Sequence, residues 1–306
     1  WGDGVVLSAD APHTGHYSFV WRNEWFAYST ALLELAATNY LWSDIDERYP
    51  DKHLVIQSFN FYPTDWLELG YFESIMWGGR MDLNYLLPFK ELFYSQSMAG
   101  FEDNSFVGLM ADVRVAKNVK LPFILYLDDT NLNDLLRFDL STKFKVAAQA
   151  GVKWTPEKAG ALKMVVADYV MVTPYMYTHR AALDRGTDLT ALLPAERLEL
   201  LSMPNYNNYT HAGTNLGVGL EPNSDRLSLQ VRLEPAKNLK VTLTGRYMRH
   251  GNASEDMIAA GSADLRNDGT ILDDGYDKFI DPTFHYDTEF LTQDKIEKTL
   301  QAGFQV

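Results

Sequence analysis

Residues 226–234 of this chain read RLSLQVRLE. Apolar residues stand at every second position: Leu227, Leu229, Val231 and Leu233. This period of two predicts a β-strand with one apolar face and one polar face. The same alternation returns in segments of similar length at 104–115, 119–128, 143–154 and 239–250. Strands of about ten residues can cross a bilayer at a tilt, so the pattern predicts an all-β fold, a transmembrane antiparallel β-barrel of the outer-membrane type.

Short and long connections alternate between these strands. Short turns are predicted near residues 64, 117, 157 and 236, and longer loops separate the hairpins. Outer-membrane barrels have short periplasmic turns and long extracellular loops. Pro88 and Pro194 each open an apolar run, which predicts short helices within the long loops. These helices either cover the mouth of the barrel or pack as ordinary loop structure. A soluble β-sandwich alternates in the same way and is the alternative fold.

The composition limits the possible partners. The 306 residues fit a single β-barrel domain over 1–306, without an apolar run long enough for a transmembrane helix. With 41 acidic and 27 basic residues the net charge is −14, which argues against a nucleic-acid partner. The absence of cysteine excludes disulfides and cysteine-ligated zinc.

The candidate metal ligands do not complete a known pattern. Residues 264–275 begin like a calcium loop, but Arg266 and Gly275 occupy positions that need oxygen ligands. His13 and His16 lie three residues apart without a third ligand close in sequence. We therefore predict no metal and no other cofactor.

Several segments share features with one family of bacterial membrane proteins. They are WGDG at 1–4 with LSADAP at 7–12, LELGYFESIMWGGR at 67–80, the pair at 103–104, and THAGTNLGVGLEPNSDRL at 210–227. In this order they resemble the Wzi-like capsule-assembly family. The resemblance implies a large barrel in the bacterial outer membrane that attaches capsular polysaccharide to the cell surface. The family also has an N-terminal helical plug and more than the about ten strands counted here, so we predict an incomplete portion of a larger barrel.

A surface polysaccharide is therefore the expected ligand, with outer-membrane lipid as the second partner. Capsular polysaccharides are often acidic, so cationic side chains on the polar strand faces are candidate ligand-binding residues. They are Arg114, Lys153, Arg226, Arg232, Lys240 and Arg246. The alternative is that these cations pair with acids inside the barrel, such as Asp112 and Glu234, and only fill it.

A second candidate surface lies in the loops, where flat rings could contact sugar faces. It comprises Trp77, Arg80, Tyr206, Tyr209 and His211, with Tyr85 and Tyr94 as further aromatic residues. Trp77 could instead belong to an aromatic girdle at the membrane surface. Packing does not readily explain Tyr206 and Tyr209, which lie in a polar run. Glu73 interrupts an apolar strand face, which requires either a bulge or a partner, and Arg80 is the nearest partner in sequence.

No catalytic constellation is evident in the sequence. The chain lacks the GxSxG motif of hydrolases. Asp128 and Asp129 are neighbours in a predicted strand and should point to opposite faces, which argues against a glycosidase pair. We therefore predict non-catalytic binding or organisation of polysaccharide. The alternatives are a porin-like diffusion channel, a surface adhesin, or a barrel lipase whose triad comes from distant strands.

Overall fold

A computed structural model describes residues 4–38, 50–98, 100, 102–128, 137, 144–158, 160–179, 194–196, 203–252 and 288–306. Strands dominate this part of the chain. They are β1 (His16–Arg22), β2 (Phe26–Ala36), β3 (Asp51–Thr64), β4 (Leu67–Gly78), β5 (Asn104–Ala116), β6 (Val119–Asp128), β7 (Lys145–Trp154), β8 (Leu162–Val172), β9 (Thr210–His211), β10 (Thr214–Asn215), β11 (Ser224–Ala236), β12 (Leu239–Asn252) and β13 (Lys295–Gln305). A 3₁₀-helix covers Leu83–Leu86, and helix α1 covers Leu92–Met98. No helix among the described residues combines the length and the apolar character needed to cross a membrane.

Eleven of the strands form one antiparallel sheet in the order β1-β2-β3-β4-β5-β6-β7-β8-β11-β12-β13. Each strand pairs with the next one along the chain, apart from β9 and β10, which form a separate hairpin. The predicted all-β, antiparallel fold is thus confirmed. Within the described residues the sheet has two edges, β1 and β13, each paired on one side only.

Short turns lie at one end of the strands, at 23–25, 65–66, 117–118, 155–161 and 237–238. We call this end of the sheet the turn edge and the opposite end the loop edge, as distinct from the edge strands β1 and β13. Two of the turns share the sequence Ala-Lys-Asn, at 116–118 and 236–238. The strand register shifts just before both, and Asn238 has φ 69°, a left-handed conformation that asparagine tolerates.

One side of the sheet, the front face, is covered at the loop edge by the connections around it. Tyr177, Tyr209, Leu216 and Val218 pack there on side chains from the strands, and Val5 joins them. The strand residues of this core include Leu54, Phe72, Phe106, Tyr126, Ala147 and Val172. Burial of this apolar area is the main term that holds the connections against the sheet.

The opposite side, the back face, is apolar from strand to strand. One row of directly paired residues crosses nine strands: Phe61, Leu69, Ala111, Phe123, Ala150, Tyr169, Leu227, Tyr247 and Leu300. Every large side chain in this row is exposed, from 39% for Tyr247 to 82% for Leu300. The neighbouring row on the front face is polar across β8 to β13, with Asp168, Ser228, Arg246 and Gln301. We call the exposed apolar residues of the back face the belt.

The segment 81–98, which we call the collar, lies on the back face of β2 to β4 near the loop edge. Tyr85 and Leu92 of the collar pack on Val55, Ile75 and Trp77 of the sheet. The predicted helix after Pro88 begins later than expected, at Leu92, and neither it nor the 3₁₀-helix covers the front face. The helix predicted after Pro194 falls largely outside the described residues.

Glu73 is the polar residue beneath the collar. It is buried, and the β3–β4 register is regular around it, so there is no bulge. The Gln57 amide donates to Glu73 Oε2 at 3.1 Å, the Leu92 N–H donates to the same oxygen at 2.8 Å, and the Tyr71 hydroxyl donates to Oε1. The prediction that Arg80 is the partner of Glu73 was wrong, because the Arg80 guanidinium binds Asp103 instead.

Candidate functional site

The six predicted cations lie on strands whose register assigns them to the front face. Arg114 pairs directly with Lys120, and Lys120 pairs directly with Lys153. Directly opposed residues of an antiparallel pair point to the same side of the sheet. Three cations therefore stand next to one another on β5, β6 and β7, near the turn edge, and we call them the cationic row. Lys120 Nζ binds Asp112 Oδ2 at 2.9 Å within this row.

The three arginines of β11 and β12 differ in their access to solvent. Arg226 is only 3% exposed and lies between Val170 and Met248. Arg246 is half-buried opposite Ser228, and Arg232 is exposed opposite Thr242. Lys240 is exposed beside the last turn. Arg232 and Arg246 are thus the members of this group that a ligand on the front face can reach.

The alternative interpretation paired the six cations with acids inside the barrel, for which Asp112 and Glu234 were the examples. Both acids do form ion pairs, but with cations outside the predicted set. Asp112 binds Lys120, and Glu234 Oε2 lies 3.3 Å from Lys163 Nζ. These two acids therefore do not account for the predicted front-face cations among the described residues.

A cleft of about 160 Å³ opens between the β3–β4 and β5–β6 hairpins at the turn edge. Its lining combines an indole, a phenol and charges of both signs: Tyr62, Asp65, Trp66, Glu68, Asp112, Arg114 and Lys120. Trp66 is 52% exposed, and the Arg22 guanidinium lies 5.2 Å from the centre of the Tyr62 ring. An exposed ring beside carboxylates and cations can contact a sugar face and hydrogen-bond its hydroxyl groups.

Tyr62 and Trp66 were missed as candidate binding residues by the sequence argument. The stretch 63–65 identified a turn there, but the fold was needed to bring it beside Arg114 and Lys120. Of the predicted ligand residues, only Arg114 lines this cleft.

Trp77 and Arg80 lie away from the front face. Trp77 is fully buried beneath the collar, with ring centres 4.9 Å from Tyr85 and 5.3 Å from His53. Its indole N–H donates to the Arg80 carbonyl at 3.1 Å. The Arg80 guanidinium and the Tyr85 hydroxyl both bind the Asp103 carboxylate, the latter at 2.6 Å. Burial, and then this hydrogen bond, raise the pKa of Tyr85. Through these contacts Trp77 and Arg80 stabilise the packing of the collar on the sheet.

Tyr206, Tyr209 and His211 belong to the connection that covers the front face. Tyr209 is fully buried, stacks on Tyr177 with ring centres 5.5 Å apart, and donates from its hydroxyl to the Val6 carbonyl at 2.8 Å. Burial raises the pKa of Tyr209. The interpretation that packing does not explain this tyrosine was wrong. Tyr206 lies against Gly78, where a Cβ atom would overlap the ring.

His211 holds this connection to strand β2. Its Nδ1 accepts a hydrogen bond from the Ala36 N–H at 2.9 Å. Burial, and then the charge of Lys52, lower the pKa of His211. A lowered pKa favours the neutral ring, the form in which Nδ1 can accept. The eleven predicted ligand residues thus divide among the front face, the contacts beneath the collar and the covering connection, rather than forming one surface.

A polar constellation that the sequence did not predict lies at the loop edge of the front face. Ser224 Oγ and His250 Nδ1 are 2.8 Å apart across the β11–β12 pair. His250 Nε2 lies 3.6 Å from Glu221 Oε2. Ser224 is 3% exposed, so its hydroxyl is covered. No motif marks these residues, because their contact depends on strand register.

The described residues contain no group of three or more histidines and acids arranged to hold a metal. Residues 264–275, which begin like a calcium loop, lie outside the described residues. Comparisons of the chain with family models, with curated proteins and with solved structures give no match.

Proposed function

We propose that this chain is part of a barrel in the bacterial outer membrane, of the Wzi-like kind, which binds or organises cell-surface polysaccharide without catalysis. The observation that supports this most is the division of the sheet into two faces. The belt is apolar and exposed on the back face, while the front face carries charged and polar side chains. In a barrel the belt contacts lipid and the front face lines the lumen.

The extent of the belt supports a lipid-facing role. Soluble monomers rarely expose large contiguous apolar patches, since each Å² of apolar surface in water costs about 25 cal/mol. The belt continues beyond its central row, with Leu121 and Leu229 towards the turn edge and Leu109 towards the loop edge. The strands β3 to β8 and β11 to β13 have 10 to 14 residues, a length that suits a tilted membrane strand.

The charges of the front face support an anionic ligand. The cationic row, Arg232 and Arg246 give this face local positive charge in a chain of net charge −14. A polysaccharide carrying carboxylates can form charge-assisted hydrogen bonds with such arginines. The aromatic cleft that contains Arg114 adds a place for a sugar ring.

The porin-like alternative needs an open lumen. At the loop edge the front face is instead packed against Tyr177, Tyr209, Leu216 and Val218, with the Val5 carbonyl bonded to the Tyr177 hydroxyl at 2.6 Å. This packing favours a plugged binding protein over a diffusion channel. Conductance across planar bilayers separates the two functions, because a channel carries a large steady current.

Removing the accessible front-face arginines should weaken polysaccharide binding. We expect the double variant Arg232→Gln, Arg246→Gln to bind an acidic polysaccharide about tenfold more weakly, since two charge-assisted contacts at roughly 0.7 kcal/mol each amount to that factor. Arg226 is left unchanged because its burial would confound a loss of binding with a loss of folding. Affinity is measured by retention of the purified, detergent-solubilised protein on the immobilised polysaccharide.

The matched control removes the same charge elsewhere. Lys237→Gln with Lys298→Gln takes one exposed cation from a turn and one from the back face of edge strand β13, and should leave retention within about twofold. Equal retention of a folded Arg232/Arg246 variant and the native protein would show that the front face is not the binding surface.

A second candidate function, ester hydrolysis, is favoured by one observation, the contact of Ser224 with His250 and of His250 with Glu221. A serine activated by histidine and a carboxylate is the basis of many hydrolases. The serine here is covered, and a substrate carbonyl must reach its Oγ atom. We therefore expect no hydrolysis of p-nitrophenyl butyrate above the level of a Ser224→Ala variant. Activity that disappears in Ser224→Ala would establish the hydrolase instead.

A further inference from the structure

The collar exposes a row of large apolar side chains on its outer surface. They are Met81, Leu83, Leu87, Phe89, Phe93 and Met98, each between 51% and 70% exposed. The opposite surface of the same segment, with Tyr85 and Leu92, is buried against the sheet. The collar is thus apolar on both sides, and more than half of each of these outer side chains is exposed.

Hydrogen bonds fix the collar in this orientation. The N–H of Leu92, the first residue of helix α1, donates to the Glu73 carboxylate, and the Phe89 N–H donates to the Tyr28 hydroxyl at 3.2 Å. Arg80 and Tyr85 bind Asp103 at its other end. Turning the exposed side chains inward would break these buried contacts, which makes the exposure a property of the fold.

The collar is continuous with the belt through a series of aromatic rings. Phe89 stacks on Tyr28 with ring centres 4.0 Å apart, and Tyr28 lies 5.2 Å from Phe59. Phe26 then connects Phe59 at 6.4 Å to Phe61 at 5.1 Å, and Phe61 is in the central row of the belt. Every side chain along this path carries an aromatic ring.

Moving along the back face from the turn edge towards the loop edge, the belt strands β11 and β12 carry their first charged side chains at the level of the collar. The row of paired residues through Tyr28 and Phe59 reaches Asp225 and Arg249 on β11 and β12. Arg249 Nε binds Asp225 Oδ1 at 2.9 Å, and the Tyr169 hydroxyl donates to Asp225 at 2.8 Å. The belt therefore changes from apolar to charged at the level of the collar, as a surface does where hydrocarbon meets water.

We propose that the collar lies in the membrane interface and inserts its exposed side chains at the boundary between lipid headgroups and acyl chains. This inference rests on the proposed function, since it requires the belt to face lipid. Apolar and aromatic side chains next to charged groups, here Lys90 and Arg80, suit a segment that lies in the interface plane. The ligand of this surface is the lipid itself.

Single-cysteine spin labels test this placement, because the chain has no cysteine of its own. The variants are Leu87→Cys and Phe93→Cys in the collar, Leu229→Cys in the belt and Lys237→Cys in a turn. Each is labelled in nanodiscs, and the collision rates of the label with oxygen and with a water-soluble nickel chelate are compared. We expect oxygen to exceed nickel several-fold at residue 229, less strongly at 87 and 93, and nickel to exceed oxygen at 237.

The outcomes separate the two proposals. Nickel excess at 87 and 93 with oxygen excess at 229 would overturn the collar proposal and leave the lipid-facing belt intact. Nickel excess at 229 would overturn both. Spin–spin broadening at 93 in discs that hold two molecules, absent in discs that hold one, would make a second copy of the chain the occupant and overturn the lipid assignment. All substituted positions in the collar are exposed, so the labels should not prevent folding.

Discussion

Replacing Glu73 by alanine should lower the free energy of unfolding by about 3–5 kcal/mol, because hydrogen-bond donors beneath the collar would lose their acceptor. The carboxylate accepts from the Gln57 amide, the Tyr71 hydroxyl and the Leu92 N–H. Without it the tyrosine and the backbone donor would lose their partner, whereas the Gln57 amide would keep the Lys90 carbonyl. An unsatisfied buried donor costs about 1–3 kcal/mol. The loss is measured by guanidinium unfolding in detergent micelles, followed by circular dichroism.

The same variant should release the collar locally. Amide hydrogen exchange at Leu92 and along helix α1 is expected to accelerate more than exchange in β5 and β6. Glu73→Gln, which keeps one oxygen acceptor, should lose roughly half as much stability. Glu297→Ala removes an exposed glutamate from β13 and should cost less than about 0.5 kcal/mol. Equal stability of the Glu73 and Glu297 variants would mean that the buried carboxylate does not hold the collar.

Gly108→Ala should destabilise the protein by about 2–3 kcal/mol through overpacking. Gly108 stands between Phe72 and Tyr126 on neighbouring strands, and a Cβ atom there would overlap the Phe72 ring, whose Cε1 atom would be 2.6 Å away. The ring cannot move aside easily, because it is 5% exposed and its centre lies 5.6 Å from that of the buried Tyr126 ring. Chemical unfolding in micelles measures this loss as well.

Gly245→Ala is the control for backbone propensity. Gly245 is also inside a strand, β12, but a Cβ atom there would have no heavy atom within 4 Å, so we expect a change below about 0.5 kcal/mol. Phe72→Leu should recover part of the loss when combined with Gly108→Ala, because the smaller side chain leaves room. Identical losses at the two glycines would contradict a steric cause.

The strands were predictable where a period of two coincided with a recognisable turn. β5, β6, β11 and β12 begin and end within two residues of their predicted bounds, and the Ala-Lys-Asn turns explain why. The hairpin at 23–25 was missed, because none of the predicted short turns lies there. Its turn depends on Asn23, whose side chain accepts from the N–H groups of Trp25 and Phe26 at 2.8 and 2.9 Å. Short asparagine turns of this kind give only a weak sequence signal.

The candidate site shows the same limit. Alternation was enough to assign Arg226, Arg232 and Arg246 to one polar face, since it depends only on local geometry. The positions of Trp77 and Tyr209 depend on contacts with residues far away in sequence, Tyr85 under the collar and Val6 near the start of the chain. Phe89 adopts φ 60°, a conformation that favours glycine, and nothing in its local sequence predicts this. Polysaccharide binding itself stays a prediction, which the retention experiment with the Arg232/Arg246 variant tests.

Through the cationic row, binding of an anionic ligand to the front face should change the stability of the fold. Arg114, Lys120 and Lys153 are side by side on consecutive strands, and like charges in that position repel. Asp112 relieves this repulsion at Lys120 alone among the ion pairs described above. A polyanion bound across the row would offset the remaining repulsion and so stabilise the pairing of these three strands. In concentrated salt the polyanion would dissociate and this stabilisation would be lost. In the protein without a polyanion, the same salt would screen the repulsion between the cations and raise stability. The stability of the empty protein and that of the loaded protein would therefore respond to ionic strength in opposite directions.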